Sequence, residues 1–317
     1  MASPATSLPV PTRGRARALL FGAGVLFGLS AMLARLASTG GMMSGGRVTL
    51  VRMAVGVVAV LAVFVARPGT FRPVRHSLLV SRGLFGGVAA LLYFMSLSLI
   101  PAGEATLLNN TFPIWAVILS FFLLGERPTV HLAVALVVAS AGVFLVLGGG
   151  KLAFSLGRGE VLGILSAVLG GFAVTSIRAL RATDNAPTIF FAMAVGGVLV
   201  SLPFAFGPFA SGSWPTDLLP WVAAGSCGVV AFLAQLLMTE AYGALSVPEA
   251  ALWQQLTPIA SFGWALTLGE RLTGITMLGV LLGIAGVVYG AVLGHQPRPD
   301  ASPVLREAAA GLPTEEP

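Results

Sequence analysis

Ten uninterrupted apolar stretches, each 19 to 25 residues long, decide what this chain can fold into. They cover 18–36, 47–66, 78–99, 103–124, 129–148, 161–179, 188–206, 218–242, 248–268 and 272–293. A helix rises about 1.5 Å per residue and a bilayer's hydrocarbon core is about 30 Å thick, so each stretch is long enough to span it. The runs are continuous rather than alternating, which predicts helices and excludes the strands of an outer-membrane barrel. Charged residues make up only 9% of the chain, and 56% is hydrophobic before its 40 glycines are added. A soluble domain carries about a quarter charged residues, and a disordered chain is charge-rich. The expected fold class is an all-α membrane protein with ten transmembrane helices.

Charge then sets orientation. The first run follows Arg13, Arg15 and Arg17, as a secretory signal would. It is longer than a signal's apolar region of about 7–15 residues, and no small-x-small cleavage site follows, so it reads as a spanning helix. With the N-terminus inside, Arg13, Arg15, Arg17, Arg67, Arg72, Arg75, Arg82, Arg127, Arg178, Arg181, Arg298 and Arg306 share the cytoplasmic side. Arg47, Lys151, Arg158 and Arg271 fall on the other. This bias predicts both termini in the cytoplasm. The net charge of +6 is thereby explained as loop anchors, without a nucleic-acid partner. The lone cysteine, Cys227, sits in an apolar run and reads as a small core residue. His76, His131 and His295 are scattered, so neither a metal site nor a cofactor is expected.

The chain also carries an internal repeat. Glu104-Ala105-Thr106-Leu107-Leu108-Asn109-Asn110-Thr111-Phe112-Pro113-Ile114 aligns with Glu249-Ala250-Ala251-Leu252-Trp253-Gln254-Gln255-Leu256-Thr257-Pro258-Ile259 at an offset of 145. Gly125-Glu126-Arg127 aligns with Gly269-Glu270-Arg271, and Gly142 with Gly286, at 144. Val25 through Arg35 aligns with Val168 through Arg178 at 143. The unit holds five spans, an odd number, so its second copy enters the membrane from the opposite side. Two inverted-topology five-helix repeats are the architecture of many secondary transporters, whose substrate site lies near the midplane between the halves. The expected organisation is a tail at 1–17, a first repeat at 18–149, a linker at 150–160, a second repeat at 161–294 and a disordered tail at 295–317.

Several ordered motifs resemble the drug/metabolite transporter superfamily, specifically its proteins with two EamA-type domains. They are Arg82-Gly83-Leu84-Phe85-Gly86, Leu91-Leu92-Tyr93-Phe94-Met95-Ser96-Leu97, Glu104 to Leu108 followed by Pro113, and Gly-Glu-Arg after spans four and nine. The resemblance implies a ten-helix metabolite transporter of a prokaryotic inner membrane, often an exporter. It further implies a central cavity lined mainly by spans 3, 4, 8 and 9.

Polar residues within the spans are the candidates for a site. Asn109, Asn110, Gln254 and Gln255 lie one to two turns into spans four and nine. A buried amide without a partner costs about 1–3 kcal/mol, so these either join helices or form a hydrogen-bonding platform for a polar metabolite. Pro113 and Pro258 remove a backbone donor in the same spans and should bend both, as a moving pair requires. Glu104 and Glu249 open the two spans at opposite faces, where a carboxylate either complements the helix dipole or lines a gate. Arg52 and Glu240 have no counterpart in the other repeat. Each either snorkels to a nearby interface or serves a substrate charge or a coupling proton. Glu126 and Arg127 read as solvated corner charges. Tyr93 and Trp253 are aromatic wall candidates, Trp253 because it adjoins Gln254. Gly279, Gly283 and Gly286 form a small-residue face for a helix pair or a homodimer contact.

No phosphate-cradling loop, nucleophile with its base, paired acid or filter-like loop accompanies these residues, which argues against an ATP-driven pump, an intramembrane enzyme and a channel. The expected function is secondary active transport of a small polar metabolite, an amino acid or amino-acid-like compound, by export. Purine-like compounds, other metabolites and drugs are the alternative cargo. The partners expected are a small-molecule substrate and the lipid bilayer.

Overall fold

The computed structural model describes residues 10–38, 42–100, 102–148, 157–210, 212–267 and 273–294, and among these every regular element is an α-helix. Their order is α1 (Arg13–Ser38), α2 (Gly45–Ala66), α3 (His76–Leu99), α4 (Ala102–Asn109), α5 (Phe112–Leu124), α6 (Val130–Gly148), α7 (Arg158–Leu180), α8 (Ala186–Ala205), α9 (Leu218–Ala241), α10 (Val247–Gln254), α11 (Leu256–Leu266) and α12 (Gly274–Leu293). Ten spans result, because α4 with α5 and α10 with α11 are each one span broken in two. Nine are long and apolar enough to cross a membrane as helices counted by length and composition. The span made of α10 and α11 is not among these nine. The expected C-terminal tail, Glu270, Arg271 and Lys151 lie outside the described residues.

Both interruptions fall at the prolines the sequence marks. Pro113 cannot donate to the preceding turn, so the chain tightens there, with the Thr111 N–H bonding the Leu108 carbonyl at 3.1 Å. The Asn110 amide and the Thr111 hydroxyl donate to the Thr106 and Leu108 carbonyls at 2.8 and 2.7 Å. In the second repeat the Gln255 N–H bonds the Leu252 carbonyl at 3.1 Å just before Pro258. Irregular backbone at membrane depth is tolerated only where protein or a water-filled cavity surrounds it.

The most extensive helix contacts are unchanged when the repeats are exchanged. The α6–α12 and α2–α8 pairs map onto themselves, α3–α7 maps onto α9–α1, and α5–α7 maps onto α11–α1. The correspondence reaches single atoms. A Cβ on Gly28 would lie 2.6 Å from the Ser261 nitrogen, and one on its equivalent, Gly171, 2.8 Å from the Ala116 nitrogen. A Cβ on Gly83 would lie 2.5 Å from the Ala192 carbonyl oxygen, and one on Gly228 3.0 Å from the Arg52 carbonyl oxygen. These contacts place Arg52 and Ala192 at equivalent sites, as their sequence contexts imply. The small-residue face of α12 is filled by α6 of the same chain, since a Cβ on Gly286 would lie 2.6 Å from the Ala139 nitrogen. That face serves the helix pair and leaves no room there for a homodimer contact.

Outward from the bundle stand large apolar side chains such as Val58, Val65, Phe122, Val137 and Leu199, all exposed. In a bilayer they meet lipid. We call the side bearing Arg13 the N face and the other the far face. Contacts between the repeats respect this division. At the N face Val74 donates its N–H to Asp184 at 2.8 Å, joining the loops after α2 and α7. At the far face Arg47, at the start of α2, is buried and donates to the carbonyls of Ala205, the last residue of α8, and of Gly212 beyond it. Arg47 also reaches the Ser213 carbonyl and sits 4.8 Å over the Trp214 ring. The charge count places Arg47 among the few outer-side charges, and the structure folds it inward onto carbonyls.

Candidate transport pathway and its closed face

Exchange symmetry fails most where the two broken spans meet. The α10 half of span nine packs against the α5 half of span four at the N face. At the far face the equivalent halves, α4 and α11, have at most a marginal contact among the described residues.

Burial follows the same asymmetry. Glu249 is 1% exposed, Gln255 1% and Gln254 6%, whereas their equivalents Glu104, Asn110 and Asn109 are only half-buried. Arg52, Tyr93 and Thr106 are likewise half-buried on the far side of the midplane. The polar groups of span four are therefore less buried than their equivalents in span nine.

The seal is built of ion pairs and backbone contacts. Glu249 stands in the first turn of α10, after Ser246, whose hydroxyl accepts its N–H at 3.4 Å. Its carboxylate accepts from Arg13 at 2.8 Å and from Arg17 at 2.9 Å, both on the first turns of α1. Glu126, just past α5, is buried. It pairs with Arg178 at 3.2 Å and accepts the first N–H of α10, from Val247, at 2.7 Å. A carboxylate there meets the positive end of the helix. Arg178 donates onward to the Tyr242 and Gly243 carbonyls at 3.2 and 3.3 Å. Arg181 pairs with Glu240 at 3.1 Å. Burial pulls the Arg181 guanidinium below its usual range, and Glu240 partly restores it. Fully buried Tyr242 accepts the Gln254 amide.

Glu126 is therefore not the solvated corner charge expected from its position between spans. A charge at a span end reads alike in sequence whether it points outward or folds back onto a helix terminus. Glu249 carries both readings at once, since it complements the start of α10 and binds two arginines from another helix. Glu240 is held by Arg181 rather than snorkelling freely. Glu104 forms no ion pair among the described residues.

On the open side the candidates group differently. Tyr93 shares a hydrogen bond of 3.0 Å with Thr106, and the Arg52 charge acts on the same phenol. Asn109 donates to Ser166 at 2.7 Å, and Ser166 to the Ala89 carbonyl at 2.9 Å, tying spans four, six and three together. Asn110 is satisfied within its own helix. Gln255 donates to Ser140 at 2.8 Å, while its carbonyl oxygen and the Trp253 ring nitrogen are buried without partners among the described residues. Helix joining thus accounts for Asn109 and Gln255, and Gln254 belongs to the seal through Tyr242.

Sequence reasoning passed over Arg13, Arg17, Arg178 and Tyr242 as members of a site. The repeat itself held a signal. At an offset of 143 the equivalents of Arg13 and Arg17 are Leu156 and Glu160. The equivalents of the Arg181–Glu240 pair are Ser38 and Met95, at 143 and 145. Arginines placed to hold Glu249 have no basic counterpart placed to hold Glu104.

Comparison with known proteins bears on what this arrangement does. A profile described as the EamA-like transporter family matches residues 15–148 and again 157–290. Two curated relatives are the pseudopaline exporter CntI of Pseudomonas aeruginosa, strains UCBPP-PA14 and PAO1. Each is 28% identical over 188 residues, which is 59% of this chain and 64% of the exporter's length. A solved crystal structure superposes with a TM-score of 0.75 at 21% identity, covering 88% of this chain and 97% of its own, a likeness of fold alone.

Proposed function

Because the chain belongs to the EamA-like transporter family, we propose that it is a secondary active transporter that exports a small polar metabolite across a prokaryotic inner membrane by alternating access. One observation carries the reading. Two repeats related by exchange are closed where α10 meets α5 and parted where α4 faces α11. Exchanging their conformations would give the opposite state, closed at the far face and open at the N face.

The N face is cytoplasmic on the arginine count, so the structure is the state open to the outside. In this reading Arg52 and Tyr93 face the outer vestibule, with Asn109 and Asn110 at the break of span four. Glu249 and Glu126 latch the cytoplasmic gate. Glu240 is the coupling candidate, and the breaks at Pro113 and Pro258 let each half-span tilt separately. The substrate is an amino acid or amino-acid-like compound, with purine-like compounds, other metabolites and drugs as the alternative. The relatives' name, an exporter, supports the direction.

An untargeted metabolite comparison of cells with and without the protein, followed by reconstitution with the compound that changes, tests the reading. Export predicts a compound enriched in the medium of expressing cells and moved by liposomes bearing the protein. No difference between the cells would contradict it. Impermeant labelling of Ile100→Cys and Ala244→Cys tests the orientation, with modification expected from outside and inside respectively.

A further inference from the structure

Arg82 lies six residues into α3 from the N face and is 3% exposed. The charge count treats it as a cytoplasmic anchor, which would send its side chain back to the interface. Side chains on a helix also lean toward its N-terminus, which here is the same direction. The structure sends it the other way. Its guanidinium lies over Gly86, one turn deeper, where a Cβ would overlap Nη1. Ten residues into α3 is about 15 Å from the helix start, the middle of a bilayer.

There the cation has almost nothing to bind. Nη2 points at the Met193 sulfur at 3.0 Å, a weak acceptor, and Nε has no partner. No carboxylate comes within ion-pair distance among the described residues. Glu126 is taken by Arg178 and Val247, Glu240 by Arg181, and Glu249 by Arg13 and Arg17. The Tyr242 phenol lies within electrostatic reach. It accepts from Gln254, which leaves its own proton free to donate. An unpaired intramembrane charge is costly and needs a named partner.

We infer that Arg82, assisted by the Tyr242 hydroxyl, is the anion-binding site of the state open to the N face, taking a carboxylate of the substrate. The inference rests on the alternating-access reading above. One fixed positive charge and one neutral donor match a monoanionic carboxylate better than a phosphate dianion, and guanidinium and carboxylate pair in a planar, two-pronged geometry. Parting α10 from α5 moves Gln254, which engages the Tyr242 hydroxyl at present. Gly86 belongs to the site because only a missing side chain leaves the guanidinium its place at the midplane.

Uptake into everted membrane vesicles, which present the cytoplasmic face to the medium, tests this with labelled glutamate, phenylalanine, uridine and spermidine. At least one of the carboxylate-bearing probes should enter, and neither uridine nor spermidine. Arg82→Gln should raise the half-saturating concentration of that probe about tenfold, Arg82→Lys by less, as loss of a charge-assisted contact requires. Gly86→Ala keeps the charge but displaces it and should raise the same constant, and this variant decides if Arg82→Gln does not fold. Entry of uridine or spermidine alone, or of no probe, overturns the inference and leaves the transporter reading to the metabolite comparison. Unchanged glutamate and phenylalanine uptake in folded Arg82→Gln overturns the inference. So does an equal loss for all four probes, which would make Arg82 an internal switch that takes Glu126 when the gate opens.

Discussion

Replacing Glu249 with glutamine should unlatch the N face. Glutamine keeps the volume and one acceptor but removes the charge that holds Arg13 and Arg17. Those contacts are short, at 2.8 Å to each arginine, and the carboxylate end is buried. The arginine ends are not, with side-chain exposures of 39% for Arg13 and 22% for Arg17. Solvent screening therefore discounts each pair to about 1 kcal/mol, well below a fully buried ion pair. Losing both costs the closed state about 2 kcal/mol, a shift of about 30-fold in the gate equilibrium. Ala250, fully buried in the first turn of α10, reports that equilibrium. In an Ala250→Cys, Cys227→Ser background, an impermeant maleimide applied to everted vesicles should react about 30-fold faster when Glu249→Gln is added, provided the open state stays the minor one. Arg13→Ala with Arg17→Ala should accelerate labelling similarly, and the combined variant should add little, because all three changes remove one interaction. Labelling rates unaffected by Glu249→Gln would refute the assignment of these residues to a gate.

Three further outcomes are expected. Asn110→Ala combined with Gln255→Ala should lower flux of the exported metabolite about tenfold at unchanged folded yield, as loss of hydrogen-bonding groups at both span breaks requires; unchanged flux removes these amides from the pathway. Glu240→Gln should abolish accumulation driven by a pH gradient while leaving exchange intact, and equal loss of both would remove Glu240 as the coupling group. Arg47→Ala strips the carbonyls of Ala205, Gly212 and Ser213 of their donors, and should cost about 3 kcal/mol, read as a lower midpoint of thermal unfolding in detergent, with Arg47→Lys recovering part.

The spans were legible because hydropathy runs and bilayer thickness are matched quantities. Duplication was legible because polar and proline positions repeat at nearly constant offsets, and the breaks at Pro113 and Pro258 follow from a missing backbone donor. Arg82, Glu126 and Arg47 were not legible. Each sits near a span end, where hydropathy gives the same signal for a side chain in water and one turned inward. Nor does a repeat pattern say which of two exchangeable conformations is the resting one. In the proposed cycle that choice falls to residues the repeats do not share, such as Arg13 and Arg17 against Leu156 and Glu160.

Paired spin labels across the two gates test the central claim most directly. One pair, Leu123 with Ala244, spans the N face, and the other, Ile100 with Leu266, spans the far face. If the halves exchange conformations, Glu249→Gln should lengthen the first distance and shorten the second within the same population. Distances that both stay fixed, or that change in the same direction, would contradict alternating access.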